Sequence, residues 1–141
     1  MRIAYGADDE NDTTRAVVRY LGDQGYEVVP VTDSDRWPDI GAAVGRAVAA
    51  GAADLGVVMC WTGTGTAIAA NKVDGVRAAL AWDPWIARGA RRWNDANVLA
   101  LSLKRLAPDV AVEVVQAFLD TAEPDPDEAA NIARLGELER P

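Results

Sequence analysis

Apolar residues in this chain come in short runs, and two kinds of run alternate. Those at 2–6, 26–31, 55–60, 75–81 and 97–101 are nearly unbroken and only strand-long. Between them apolar residues recur three or four apart, as on a helix face: Val17, Val18 and Leu21, then Ile40, Val44, Ala47 and Val48, and later Val110, Val114, Val115, Phe118 and Leu119. The punctuation agrees. Asn11 or Asp12 can cap a helix over 13–24 that Gly25 stops, and Pro38, Pro84 and Pro108 each fit the first turn of a helix. A polar loop fills 32–37, and the stiff acidic link 123–127 leads to a last helix over 128–139. Strand and helix in alternation predict a doubly wound, three-layer α/β/α sandwich on a five-stranded parallel sheet, with strand order 2-1-3-4-5. A single domain over 1–141 is expected.

Composition narrows the function. Fourteen Lys and Arg face 22 Asp and Glu, a formal charge of −8, which argues against nucleic acid and anionic membrane surfaces as partners. There is no histidine, so the usual acid–base group near neutral pH is missing. The one cysteine cannot form an intrachain disulfide, and nothing near it completes a zinc site. Chemistry must therefore rest on thiol, carboxylate, hydroxyl or backbone amide, and no metal or cofactor is expected. A strand at the start leaves no room for a signal peptide and no apolar run approaches membrane-spanning length, so a cytoplasmic location is the expectation.

The stretch 55–72 concentrates the candidate chemistry. It runs from an apolar strand to Cys60, through Trp61-Thr62-Gly63-Thr64-Gly65, into an Ala-rich helix. A glycine turn feeding a helix N-terminus makes an anion site from converging N–H groups and the helix dipole. At a strand end Cys60 lies where open parallel sheets bind ligands, although lone buried cysteines are more often inert filler. Asp8 and Asp9 either cap the first helix or bind a ligand. Trp82 and Trp85 read as core or dimer contacts, and Arg88, Arg91 and Arg92 as a solvated or interface face.

Four pieces, in this order and at these separations, carry a family resemblance: Ile3-Ala-Tyr-Gly-Ala-Asp8, Cys60-x-Thr-Gly-x-Gly65, Ile68-Ala-Ala-Asn-Lys72, and Asn94-Asp-x-Asn-Val-Leu-Ala100. Together they make the chain similar to the ribose-5-phosphate isomerase B and galactose-6-phosphate isomerase family, over nearly its whole length. The resemblance implies a Rossmann-like fold and a homodimer, or a pair of such dimers, with active sites built across the subunit contact and the segment 127–139 packed on the partner. It also implies metal-independent interconversion of an aldose phosphate and a ketose phosphate through an enediolate. Cys60 would be the base and Thr62 the hydroxyl acid or positioning group. N–H groups around Gly63, Thr64 and Gly65 would hold the enediolate oxygen, and Asp8 and Asn94 would bind substrate oxygens. A helix N-terminus favours thiolate over thiol, which suits Cys60 to that task.

The chain also departs from the family pattern. Where the family carries an Asp-His pair, this chain has Asp8-Asp9, and where it carries a ring-opening histidine, Trp93 stands. The family's phosphate-clamping arginines fall at about Asp127 and Asn131, with Arg134 nearby, and another arginine is replaced by Lys104, beside Arg105. Trp37 replaces a tyrosine, and Trp61 the small residue after the cysteine. Carboxylates in place of cations repel a phosphate dianion. Loss of the ring-opening acid penalises cyclic sugars by on the order of 10²–10⁴ in rate. The expectation is an isomerase acting on an open-chain or non-phosphorylated sugar-like compound. The alternatives are a catalytically inactive relative that binds a small ligand or a protein, and, more weakly, a hydrolase or lyase, for which the chain lacks a histidine to activate the thiol.

Overall fold

Each expected strand forms: β1 (Arg2–Ala7), β2 (Glu27–Pro30), β3 (Leu55–Cys60), β4 (Ala78–Leu80) and β5 (Val98–Ser102), all paired in parallel. The computed structural model describes residues 1–139, so residues 140 and 141 of the expected 1–141 domain lie outside the described residues. Among the described residues six α-helices connect and follow the strands: α1 (Asp12–Asp23), α2 (Trp37–Ala49), α3 (Thr64–Asn71), α4 (Pro84–Asn94), α5 (Pro108–Asp120) and α6 (Ala129–Glu137). A turn of 3-10 helix at Pro126–Glu128 leads into α6. None of the described helices is long and apolar enough to cross a membrane.

Strand residues alternate between two cores, as the period of two requires. Ile3, Val57, Met59, Leu99 and Leu101 point to one side, where they meet Val17 and Leu21 of α1, Ala87 of α4, and Val114 and Phe118 of α5. Ala4, Val58, Val98 and Ala100 point to the other, against Val44 of α2 and Ala67 and Ala70 of α3. Both faces are covered, so the central strands read as unbroken apolar runs. The architecture is the doubly wound α/β/α sandwich that the pattern predicts.

The strand order differs from the expected 2-1-3-4-5. It is β2-β1-β3-β5-β4. β5 is buried at all five positions and takes the inner place beside β3, whereas the three residues of β4 are only half-buried and suit an edge. β4 is also shorter than the run over 75–81 suggests. Asn71 closes both backbone groups of Ala78, accepting its N–H at 2.8 Å and donating to its carbonyl at 2.9 Å.

Arg91 is a second correction. It does not belong to a solvated or interface face: its side chain is only 11 % exposed. Its guanidinium donates to the carbonyls of Ala96, Thr121 and Ala122 at 2.6, 3.1 and 3.2 Å, lies 5.6 Å from the Phe118 ring centroid, and is paired with Asp95. Burial pulls its ionisation below the usual guanidinium range, with the Asp95 carboxylate opposing that shift. Arg91 thus ties the end of α4 to the chain that leaves α5. Trp82 and Trp85, in contrast, are outside the core and strongly exposed.

Candidate active site

Parallel register brings the functional segments to one edge of the sheet. Ala7 is paired with Met59 and Cys60 with Ser102, so the turns that follow β1, β3 and β5 lie side by side. The Asp8 N–H donates to the Met59 carbonyl at 3.2 Å and fixes the first turn against the second. A cleft of about 390 Å³ opens at this carboxyl edge. Asp8, Cys60, Thr62, Thr64 and Gly65 line it, and the indoles of Trp37 and Trp61 form its walls.

Gly63 makes the turn possible. Its φ is +79°, and a Cβ there would meet Leu80 Cδ1 at 2.6 Å and the Leu101 carbonyl carbon at 2.8 Å. As the N-cap of α3 it supplies no side-chain cap of its own. Thr62 Oγ1 takes the Thr64 N–H at 3.3 Å and shares a hydrogen bond of 2.7 Å with Thr64 Oγ1. The two hydroxyls form one polar rim of the cleft. Gly65 has a different reason: a Cβ there would sit 2.9 Å from the Trp37 ring, which packs against this glycine.

Cys60 is 4 % exposed and lines the cleft. Asp8 brings an unsatisfied group to the same space: its Oδ1 is buried without a hydrogen-bond partner. Burial is the main reason its carboxyl ionises above the ordinary aspartate range; its own backbone amide opposes the shift and the neighbouring Asp9 adds to it. Neither aspartate caps α1. That task falls to Asn11, which accepts the Thr14 N–H at 3.0 Å while Thr14 Oγ1 accepts the Asn11 N–H at 2.9 Å. Asp9 instead accepts the indole N–H of Trp61 at 3.4 Å, and Lys104 Nζ lies 5.1 Å from the Trp61 ring centroid.

The structure therefore gathers Asp8, Asp9, Cys60, Thr62, Gly63, Thr64, Gly65 and Lys104 around one cleft. Trp93 and Asn94 stand apart from it within one chain. Trp93 packs edge-to-face on Trp85 with ring centroids 5.5 Å apart, and Asn94 lines a separate groove of about 810 Å³ with Asn71, Lys72 and Arg77. Arg134 is also elsewhere, paired with Glu137 on α6 at 2.7 Å. Among the described residues no three His, Cys, Asp or Glu side chains gather in a way that could hold a metal ion.

Two site residues escaped the sequence reading. Thr66, fully buried in the first turn of α3, donates to Cys60 Sγ at 3.4 Å. Ser102 donates to the Trp61 carbonyl and accepts the Arg105 N–H at 2.9 Å, which joins the turn after β5 to the cysteine turn. Each is a hydroxyl at the junction of a strand or helix with a loop, and that position was the available signal.

Residues 3–135 match the family profile described as Ribose/Galactose Isomerase. The chain is 32 % identical to the D-erythrulose-4-phosphate isomerase of Pectobacterium atrosepticum, with 99 % of this chain and 95 % of that one covered. It is 36 % identical to the ribose-5-phosphate isomerase B of Escherichia coli, over 84 % of this chain and 83 % of its relative. The solved ribose-5-phosphate isomerase B of Clostridium thermocellum superposes with a TM-score of 0.91 at 36 % identity, covering 98 % of this chain and 97 % of that structure. With the family profile matched over residues 3–135, a relative 32 % identical over nearly the whole chain and a solved structure that superposes on it, the chain belongs to the ribose/galactose isomerase family.

Proposed function

We propose that this chain is a metal-independent aldose–ketose isomerase acting on a short, open-chain hydroxy-carbonyl compound. The observation that carries the reading is the meeting of a thiol, a helix start with a glycine N-cap and an unpartnered carboxylate oxygen in one cleft. Cys60 Sγ removes the proton from the hydroxyl-bearing carbon beside the carbonyl. The electron pair of that C–H bond becomes the C=C bond of an enediolate, and the carbonyl π pair moves onto oxygen. First-turn N–H groups around Gly63, Thr64 and Gly65 hold that oxygen, the logic of an oxyanion hole. The hydroxyl proton passes between the two enediolate oxygens with Thr62 beside them, and Cys60 returns its proton to the former carbonyl carbon. Asp8 Oδ1 accepts a substrate hydroxyl.

The absence of histidine supports an open-chain substrate, since no ring-opening acid is at hand. A four-carbon sugar phosphorylated on O4 fits that requirement chemically, because it has no free hydroxyl placed to close a five-membered ring. A relative covering nearly the whole chain is named for such a compound, D-erythrulose 4-phosphate. Lys104 and Arg105, both exposed on the turn after β5, are the cations beside the cleft that can meet a phosphate. Asp9 and Glu10 oppose it, which keeps a non-phosphorylated tetrose within the proposal.

A second copy completes the site in this reading, and the protein works as a homodimer of one 1–141 domain with α6 packed on the partner. Exposed Ile68, Trp82, Trp85 and Leu138 offer the apolar surface for that contact. Asn94, remote from Cys60 in its own chain, then reaches the partner's cleft with Trp93.

The deciding experiment incubates the protein in deuterated water with D-erythrulose 4-phosphate, D-erythrulose or ribose 5-phosphate and follows deuterium at the carbon next to the carbonyl. Exchange is expected with a tetrulose, little with ribose 5-phosphate, and none in Cys60→Ser. No exchange with any of the three, with Cys60→Ser indistinguishable from the parent, leaves a binding module in place of an enzyme.

A further inference from the structure

Thr66 is the residue that the mechanism above leaves unused. Its side chain is fully buried in the first turn of α3, and its Oγ1 lies between two acceptors, Cys60 Sγ at 3.4 Å and the Gly63 carbonyl at 3.3 Å. A hydroxyl has one proton to give, so it serves one of the two at a time. The Gly63 carbonyl does not depend on it, because the Ala67 N–H already donates to that oxygen at 3.2 Å. Cys60 does depend on it: among the described residues, Thr66 is the only group recorded within hydrogen-bond reach of Sγ.

Resting on the reading of Cys60 as the proton carrier, we infer that Thr66 is a positioning residue whose hydroxyl rotates as the thiol changes state. While Cys60 is a thiolate, Thr66 O–H points at sulfur and stabilises the charge. Once Sγ has taken the substrate proton, the hydroxyl turns to the Gly63 carbonyl and leaves a lone pair facing the new S–H. No proton leaves Thr66 at any step. The rotor keeps sulfur aimed into the cleft in both states and carries the change to the turn that holds the enediolate oxygen, since Gly63 is the N-cap of α3.

The position is fixed from behind. Gly41 of α2 lies so close to α3 that a Cβ on it would fall 2.6 Å from the Thr66 carbonyl oxygen and 2.8 Å from the Ala69 Cβ. That packing holds the backbone of Thr66 while its O–H stays free to turn about the Cβ–Oγ1 bond. Valine has the same shape without the hydroxyl, and its introduction leaves no carbonyl unpaired.

The test exploits the fact that Cys60 is the only cysteine of the chain. Its alkylation by iodoacetamide in the full-length protein is counted by mass at a series of pH values, for the parent, Thr66→Val and Thr66→Ser. Asp8, Asp9, Glu10, Lys104 and Arg105 are the charged groups named around the cleft, and both variants keep them. The midpoint of the alkylation profile is expected to move up by about one pH unit in Thr66→Val, a roughly tenfold loss of thiolate at a given pH below it. Thr66→Ser is expected to keep the parental midpoint. A common midpoint for Thr66→Val and the parent overturns the inference, and so does a Thr66→Ser profile that follows Thr66→Val. Neither outcome touches the isomerase reading, which stands or falls on solvent exchange.

Discussion

Trp61 donates its indole N–H to Asp9 Oδ2 at 3.4 Å, and Lys104 Nζ lies over the Trp61 ring, 5.1 Å from its centroid. An anion and a cation thus hold a large side chain in place at the wall of the Cys60 cleft. Trp61 is more than half exposed, so this arrangement contributes little to folding. Its effect falls on the space available to a substrate. Trp61→Ala is expected to raise kcat/KM for a five-carbon relative to a four-carbon substrate by about tenfold. Stability should change by about 1 kcal/mol or less. An unchanged ratio in steady-state assays would show that the indole does not set substrate length.

Asp8 costs stability where it serves binding. Burial raises its ionisation in the folded protein above that of the unfolded chain, near pH ~3.9. The folded state therefore holds the proton more tightly, and stability falls as pH rises through the window between the two values. Above that window the charged form burdens the fold; below both values the burden is gone. Asp8→Asn is expected to raise Tm at pH 7, with a gain that shrinks as pH falls and vanishes below about 4. The same change should lower kcat/KM by roughly 10–100-fold through loss of a charged acceptor. Calorimetry at pH 7 and pH 3.5 beside an activity assay separates the two effects.

Arg91 answers a different demand. Five guanidinium N–H groups on a rigid fork meet three carbonyls and the Asp95 carboxylate, an arrangement lysine cannot copy. Arg91→Ala is expected to cost about 2–4 kcal/mol in urea denaturation, because the carbonyls of Ala96, Thr121 and Ala122 lose their donor. Arg91→Lys should recover less than half of that. Arg88 and Arg92 are exposed, and alanine at Arg88 should shift the transition by about 0.5 kcal/mol or less.

These residues mark where the sequence was informative. The run Leu55–Cys60 is apolar at every position because β3 is covered on both faces, and its burial follows from that alone. The turn after it was legible too, because Gly63 is required by both its φ and its surroundings. The order of β4 and β5 was not. Both runs are apolar, and only the three-residue length of β4 and the hydrogen bonds of Asn71 to Ala78, seen in the folded chain, send it to the edge. Arg91 was misread for a related reason. A charged residue on a helix next to two exposed arginines looks solvated until the carbonyls at the end of α5 are brought to it. Thr66 stayed hidden because a threonine inside an Ala-rich helix carries no mark of the sulfur six residues earlier that folding places against it.

The separation of Asn94 from Cys60 gives the sharpest test of how the site is assembled. Asn94 is exposed at the last turn of α4 and lines the groove with Asn71 and Arg77, so Asn94→Ala should fold as the parent does. If each cleft borrows Asn94 from a second copy, Cys60→Ser and Asn94→Ala are both defective alone and complement each other when mixed. A mixed dimer has one cleft with both residues intact and one with neither. Co-expression at equal levels makes half of the dimers mixed, so activity is expected to recover to about one quarter of the parental value per chain. Native mass spectrometry confirms the mixed dimers, and the exchange assay reads the recovery. Mixed dimers without recovered activity would place the complete site within a single chain, with Asn94 serving only the groove it lines.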